Sequence, residues 1–211
     1  AVASVALGWL LTSFGGLSGA AAVAYQGFLL AVGGAFVPLL GASLSGHEAQ
    51  RLGLTAAQAQ ALAATWQAHA SNAFNLGGLI GAFAAIPLAQ RLGRRPMFSV
   101  YFLYSALALF ATFGLPLEPH ARLTLLFLVG AGVYGIFGAF TFYLPELFPV
   151  RIRATGAGFC YNTGRVLAAL GPLIIGWVTA AAGGSSAALM QVLFWLGLVP
   201  LAAALLSRFL L

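Results

Sequence analysis

Apolar positions dominate this chain and fall in long unbroken runs, not in alternation with polar ones. Uncharged stretches cover Ala1–His47, Thr55–Gln90, Pro96–Leu117, Leu123–Pro145, Ala154–Gly164 and Val166–Ser207. Most reach the roughly 20 residues that a helix needs to cross a bilayer. In lipid only closed hydrogen-bond ladders survive, and runs this long without a period of two are not barrel strands, so they predict helices. We read spans at about 20–42, 70–90, 97–116, 123–145, 155–182 and 187–210. The fold class is therefore an all-α membrane protein, a six-transmembrane-helix bundle. Residues 1–19 read as an apolar N-terminal remnant of a preceding span or as the start of the first one.

The breaks between runs are short. Gly41–Thr55, "GASLSGHEAQRLGLT", is the clearest loop, rich in small and polar residues. Thr55 followed by Gln58 is a capping-box pattern, which predicts a helix start there that runs through "AAQAQALAATWQAHA" into the next span. The remaining connections are tight: "RLGRRP" at 91–96, "LPLEPHAR" at 115–122, "PELFPVRIR" at 145–153 and "GGSS" at 183–186. Glycines crowd two spans, with Gly77, Gly78 and Gly81 in one and Gly130, Gly132, Gly135 and Gly138 as a near-continuous stripe in another. Such surfaces let helices pack closely, or slide against one another.

Charge sharpens the topology. Only 6% of the 211 residues are charged, with no lysine and no aspartate, against about 25% in soluble domains. The net charge of +6 does not indicate nucleic acid, because the arginines sit in short connections and not over one solvated face. Arg91, Arg94, Arg95, Arg151 and Arg153 fall in two loops on the same side of the bundle. Positive residues in short loops stay cytoplasmic, so loops 91–96 and 145–153 and both ends of the six-helix unit are expected there, with Arg208 in agreement. The opposite loops hold Arg51 with Glu48 and Arg122 with Glu118, so their charges nearly cancel. The chain is expected in the bacterial inner (plasma) membrane as a multi-pass protein. It begins with alanine and has no basic n-region with a cleavage site, which reads as a fragment or processed piece without a signal peptide.

Several patterns mimic known chemistry. Gly130-Ala-Gly132-Val-Tyr-Gly135 spells a dinucleotide fingerprint but lies inside an apolar helix, where the strand–turn–helix context that gives the motif meaning is missing. Gly16-Leu-Ser18-Gly19 resembles the GxSG of intramembrane serine proteases, with His69 as the base, and defines the alternative reading of an intramembrane hydrolase. His47, His69 and His120 are scattered, with no pair at helical ligand spacing, so neither a metal nor a cofactor is expected. The single cysteine, Cys160, excludes an internal disulfide.

Two loops carry more. "RLGRRP" and, two spans later, "LPELFPVRIRATG" resemble signatures of the major facilitator superfamily, twelve-helix transporters built of two six-helix halves. The family's P-E-x-F-P-x-x-x-R loop is matched by Pro145, Glu146, Phe148, Pro149 and Arg153, and "GFCYNTGR" looks like bacterial metabolite:proton symporters and sugar-porter-like members. The family's G-x-x-x-D-R-x-G-R-R loop keeps Arg91, Gly93, Arg94 and Arg95 here, but Gln90 replaces the acid and Ile86 the first glycine. The resemblance covers all six spans, as the seventh to twelfth helices. It implies half of a twelve-helix fold, partnered by an N-terminal half of the same transporter and by the bilayer. It also implies that Glu146 pairs with Arg94 or Arg95 and with Arg153, Arg151 standing beside them, as a cytoplasmic latch that breaks when the halves rock. Three guanidinium groups near one carboxylate favour such a pair on physical grounds alone; the bland alternative is a static surface pair.

Arg165 falls inside a span. It lies 12 residues beyond Arg153, roughly 18 Å of helix, which places it near the middle of an apolar core about 30 Å thick. A guanidinium there costs at least a few kcal/mol unless it faces a bundle interior or a watery path. Asn162 and Tyr161 share its helix face. The patch suits a carboxylate, because the arginine fork donates two parallel hydrogen bonds; the alternative is a structural role against backbone carbonyls or an acid elsewhere. Tyr134, Asn75, Asn72 and Gln26 are weaker candidates for the lining, and Gly171-Pro172 predicts a kink one to two turns beyond Arg165. The expected function is secondary transport of a small organic anion by alternating access, with no catalytic residues.

Overall fold

The structure, a computed structural model, describes residues 37–181 and 186–210. The described residues are helical apart from short connections: α1 (Val37–Arg51), α2 (Ala56–Leu92), α3 (Arg94–Gly114), α4 (Pro119–Glu146), a 3₁₀ turn (Val150–Ile152), α5 (Arg153–Ala181), α6 (Ser186–Leu196) and α7 (Leu198–Leu210). Among the described residues four stretches are long and apolar enough to cross a membrane: α2, α3, α4 and Ala187–Ser207, which takes in α6 and most of α7. Residues 1–36, including Ser18 and Gln26, lie outside the described residues.

Helix ends follow local chemistry. The Gln58 Oε1 accepts from the Thr55 amide at 3.0 Å and from its hydroxyl at 2.9 Å, and α2 then runs 37 residues without interruption. At about 1.5 Å per residue α2 is roughly 55 Å long, well beyond a bilayer core, so its first turns extend outside the apolar layer. Gly41–Arg51, expected as loop, is helical, and the connection shrinks to residues 52–55. Small residues let that segment pack: Leu40, Leu44 and Ser45 are buried, and Gly41 lies against the Gln67 backbone of α2. Gly53 closes α1 in the left-handed region (φ 61°), with Leu54 N donating to Ala49 O and Gly53 N to Gln50 O, a Schellman cap.

Gly93 alone separates α2 from α3. Its φ of 86° is one that L side chains rarely adopt, and its amide closes α2 on Ala89 O. Pro96, in the first turn of α3, occupies a position where a missing N–H costs nothing. The last span divides at Gly197, three residues before Pro200, which cannot donate to the ladder. Gly197 also sits where a Cβ would press on the Phe110 ring.

The core is helix on helix. α2 and α4 approach until backbone meets backbone: a Cβ on Gly77 would overlap the Phe127 carbonyl, one on Gly81 that of Ala131, and one on Gly130 that of Phe74. The glycines of α4, read as one stripe, serve two neighbours instead. Gly130 and Gly138 face α2, while Gly132 meets Ser105 and Gly135 the Tyr101 ring on α3. An aromatic group of Phe98, Phe102, Phe140 and Tyr143 fills the other side of that α3–α4 seam. Ser99 and Ser207 hydroxyls, 2.7 Å apart, join α3 to α7. α5 continues as helix past Gly171 and Pro172.

Candidate functional site

The arginine-rich end of the bundle holds a defined charge cluster. The one-residue turn at Gly93 sets Arg94 at the start of α3, and Glu146 is the last residue of α4. Arg94 Nη2 donates to Glu146 Oε1 at 2.6 Å and its Nε to Oε2 at 3.0 Å, a fork-on-fork pair between segments 52 residues apart. The guanidinium also stacks over the Phe142 ring, 5.1 Å from its centroid and one turn of α4 before Glu146. Both partners remain partly in solvent, with side chains 42% and 48% exposed, so the pair contributes little to stability, under about 1 kcal/mol. Its value lies in geometry: two parallel hydrogen bonds fix the separation of two helix ends.

Of the other arginines expected here, Arg153 acts on the carboxylate through its charge, while its Nε donates to Phe148 O at 3.5 Å. Arg95 and Arg151 are exposed. Phe148 itself is buried, wedged against Gly156 of α5, and anchors the Leu147–Ile152 connection. The pair thus joins the loops 91–96 and 145–153 directly.

The candidate lining residues separate into groups. Tyr134 and Tyr161 flank Phe137, with ring centroids at 6.0 and 5.8 Å, and Tyr134 also packs edge-on to Phe74. This aromatic row carries α4 onto α5 and leaves both tyrosines half-buried. Asn162, exposed, turns its amide back onto its own helix, donating to Gly158 O at 2.8 Å. Asn72 and Asn75 are exposed on α2. Arg165 belongs to α5, but its side chain, like Gln26, lies outside the described residues.

Sequence spacing missed contacts that only packing creates. His69 of α2 and His120 of α4, 51 positions apart, bring their rings to 5.8 Å, with Trp66 5.1 Å from His120. No sequence period links them, since their approach depends on the α2–α4 crossing. Among the described residues no group of three metal-binding side chains forms.

The comparisons with known proteins agree with this architecture. The model of a family described as "Sugar (and other) transporter" matches residues 17–211. The cis,cis-muconate transport protein of Acinetobacter baylyi is 38% identical over 120 residues, 54% of this chain and 26% of that protein. The probable 4-methylmuconolactone transporter of Cupriavidus pinatubonensis is 34% identical over 93 residues, 44% of this chain and 22% of that protein. The inner membrane metabolite transport protein YhjE of Escherichia coli is 38% identical over 97 residues, 43% and 22% of the respective chains. Each match takes in about a quarter of the relative or less. With four apolar stretches long enough to span among the described residues, and a transporter-family match over most of its length, the chain is an integral multi-pass membrane protein.

Proposed function

We propose that this chain, which belongs to the sugar (and other) transporter family of the major facilitator superfamily, is the C-terminal half of a secondary transporter for a small organic anion. The transporter works by alternating access against an N-terminal half, and the Arg94–Glu146 pair is its cytoplasmic latch. The observation that supports the latch most is the bidentate bond itself, made at 2.6 and 3.0 Å between the two arginine-rich loops. A pair this exposed is cheap to break and re-form, which suits a contact that must open once per cycle.

The anion reading rests on α5. Arg165 lies 12 positions along a helix that starts at Arg153, roughly 18 Å from its end, and a cation at that depth requires a polar partner. The substrate's carboxylate serves as that partner. Two relatives named for muconate and for a methylmuconolactone are in keeping with an unsaturated acid of modest size. Tyr161, one turn before Arg165 and packed on Phe137, places an aromatic surface beside that carboxylate. The matching family and relatives are transporters, which favours transport over intramembrane hydrolysis.

Uptake by the complete protein, measured with labelled dicarboxylates, monocarboxylates and neutral sugars, tests the reading. The expected result is saturable carboxylate uptake that Arg165→Gln reduces at least tenfold while the protein still reaches the membrane. Equal uptake of every anion by wild type and variant, or preference for neutral sugars, contradicts it.

A further inference from the structure

We propose that the arginine-rich end of the bundle is a docking surface for anionic phospholipid, where Arg91, Arg95 and Arg151 meet headgroup phosphates while Leu92 and Val150 enter the edge of the acyl layer. Loops 91–96 and 145–153 carry five arginines and one glutamate. Both carboxylate oxygens of Glu146 accept from Arg94, and Arg153 adds its charge to the same carboxylate. Among the described residues no carboxylate pairs with Arg91, Arg95 or Arg151, and all three are exposed. This end of the bundle therefore presents a surplus of positive charge.

Apolar side chains stand among these cations. Val150, 79% exposed, opens the 3₁₀ turn directly before Arg151, although Phe148 beside it is buried. Leu92, 46% exposed, directly follows Arg91. In water such exposure brings no gain, whereas at a membrane surface the apolar tips lie in the acyl boundary and the guanidinium groups at the level of the phosphates. The depth agrees. Arg91 follows the exposed Ile86 of α2 by five residues and Arg95 precedes the exposed Val100 of α3 by five, about 7.5 Å of helix in each case. Each cation thus stands one to two turns beyond an apolar helix face.

The bundle holds the patch together. Gly93 alone separates Arg91 and Leu92 from Arg94 and Arg95, and the Arg94–Glu146 bond ties this loop to the one that carries Val150 and Arg151. The three free arginines need not converge on one phosphate. Anionic lipids gather beneath a basic surface by charge, over a screening length of about 8 Å at physiological ionic strength. Each guanidinium then donates to phosphate oxygens at close range. A phosphatidylcholine headgroup carries its own ammonium and offers no net charge, so the surface distinguishes the two lipid classes.

The complete protein carrying Val150→Cys, labelled with bimane and reconstituted in phosphatidylcholine vesicles containing one-fifth phosphatidylglycerol, tests the surface. Cys160 is fully buried and leaves the label to position 150, and protein without the substitution supplies the background. Acyl-chain bromine quenches the label. Brominated phosphatidylglycerol is expected to quench at least twofold more than the same fraction of brominated phosphatidylcholine, with the preference fading in high salt. The triple variant Arg91→Gln, Arg95→Gln, Arg151→Gln keeps Arg94, Glu146 and Arg153. It is expected to lose the preference while phosphatidylcholine still quenches, which shows that the label remains at the membrane. If that variant fails to insert, the salt series on the labelled protein decides, and a preference unchanged by salt overturns the surface. Equal quenching by the two lipids, or a preference that survives in the triple variant, also overturns it. So does the absence of quenching by either lipid, which would mean that protein and not bilayer covers Val150.

Discussion

The Tyr101 hydroxyl donates to the carbonyl of Gly81 at 2.8 Å, and both residues are buried where α2, α3 and α4 meet. The contact exists because glycines clear space for it: Gly135 of α4 lies under the Tyr101 ring, where a Cβ would overlap it, and Gly81 offers a carbonyl unshielded by a side chain. Three helices are thereby tied at one point within the apolar layer, where no water competes for the bond.

Tyr101→Phe removes that bond while keeping the ring. The Gly81 carbonyl stays within α2 and retains its helical environment, so the expected loss is about 0.6–1.5 kcal/mol, in line with hydrogen bonds between membrane helices. Denaturant unfolding in mixed micelles measures it; a loss of 3 kcal/mol or more would mean that the ring, and not the hydroxyl, has been disturbed.

Glycine-to-alanine changes divide by position. Gly77→Ala and Gly130→Ala drive a methyl group into a carbonyl of the facing helix and are expected to cost about 1–3 kcal/mol or more, by prising α2 from α4. Gly158→Ala meets nothing within 4 Å and gains helix propensity, up to about 1 kcal/mol. The same unfolding measurement ranks the three, and equal effects would contradict close α2–α4 packing as the reason for these glycines.

Much of this architecture is legible in the amino-acid sequence. Long apolar runs identify membrane helices because lipid leaves the backbone no other partner, and the Thr55–Gln58 pattern marks the start of α2 because the cap is local. Glu146 and its arginines stand out because charge is so scarce. The segments that differ from the sequence pattern depend on packing. Gly41–Arg51 has the composition of a loop, yet small residues are what a close helix contact needs, and burial against α2 overrides their weak propensity. The α4 glycines repeat too densely for sequence to say which faces α2 and which α3. The choice of Arg94 over Arg95 likewise follows from the rotation of α3 after Gly93, and the His69–His120 approach from a helix crossing that no spacing encodes.

The latch is tested most directly by reversing its charges. In the complete transporter, carrying a cysteine on the cytoplasmic side of the cavity, Arg94→Glu and Glu146→Arg each place like charges together. Each is expected to raise the rate of labelling from the cytoplasmic side severalfold and to lower uptake, while the double exchange, which restores an opposite-charge pair, returns labelling and uptake toward wild type. Single and double variants labelled at the wild-type rate, with uptake intact, would contradict the account and leave the Arg94–Glu146 contact a static pair at the membrane surface.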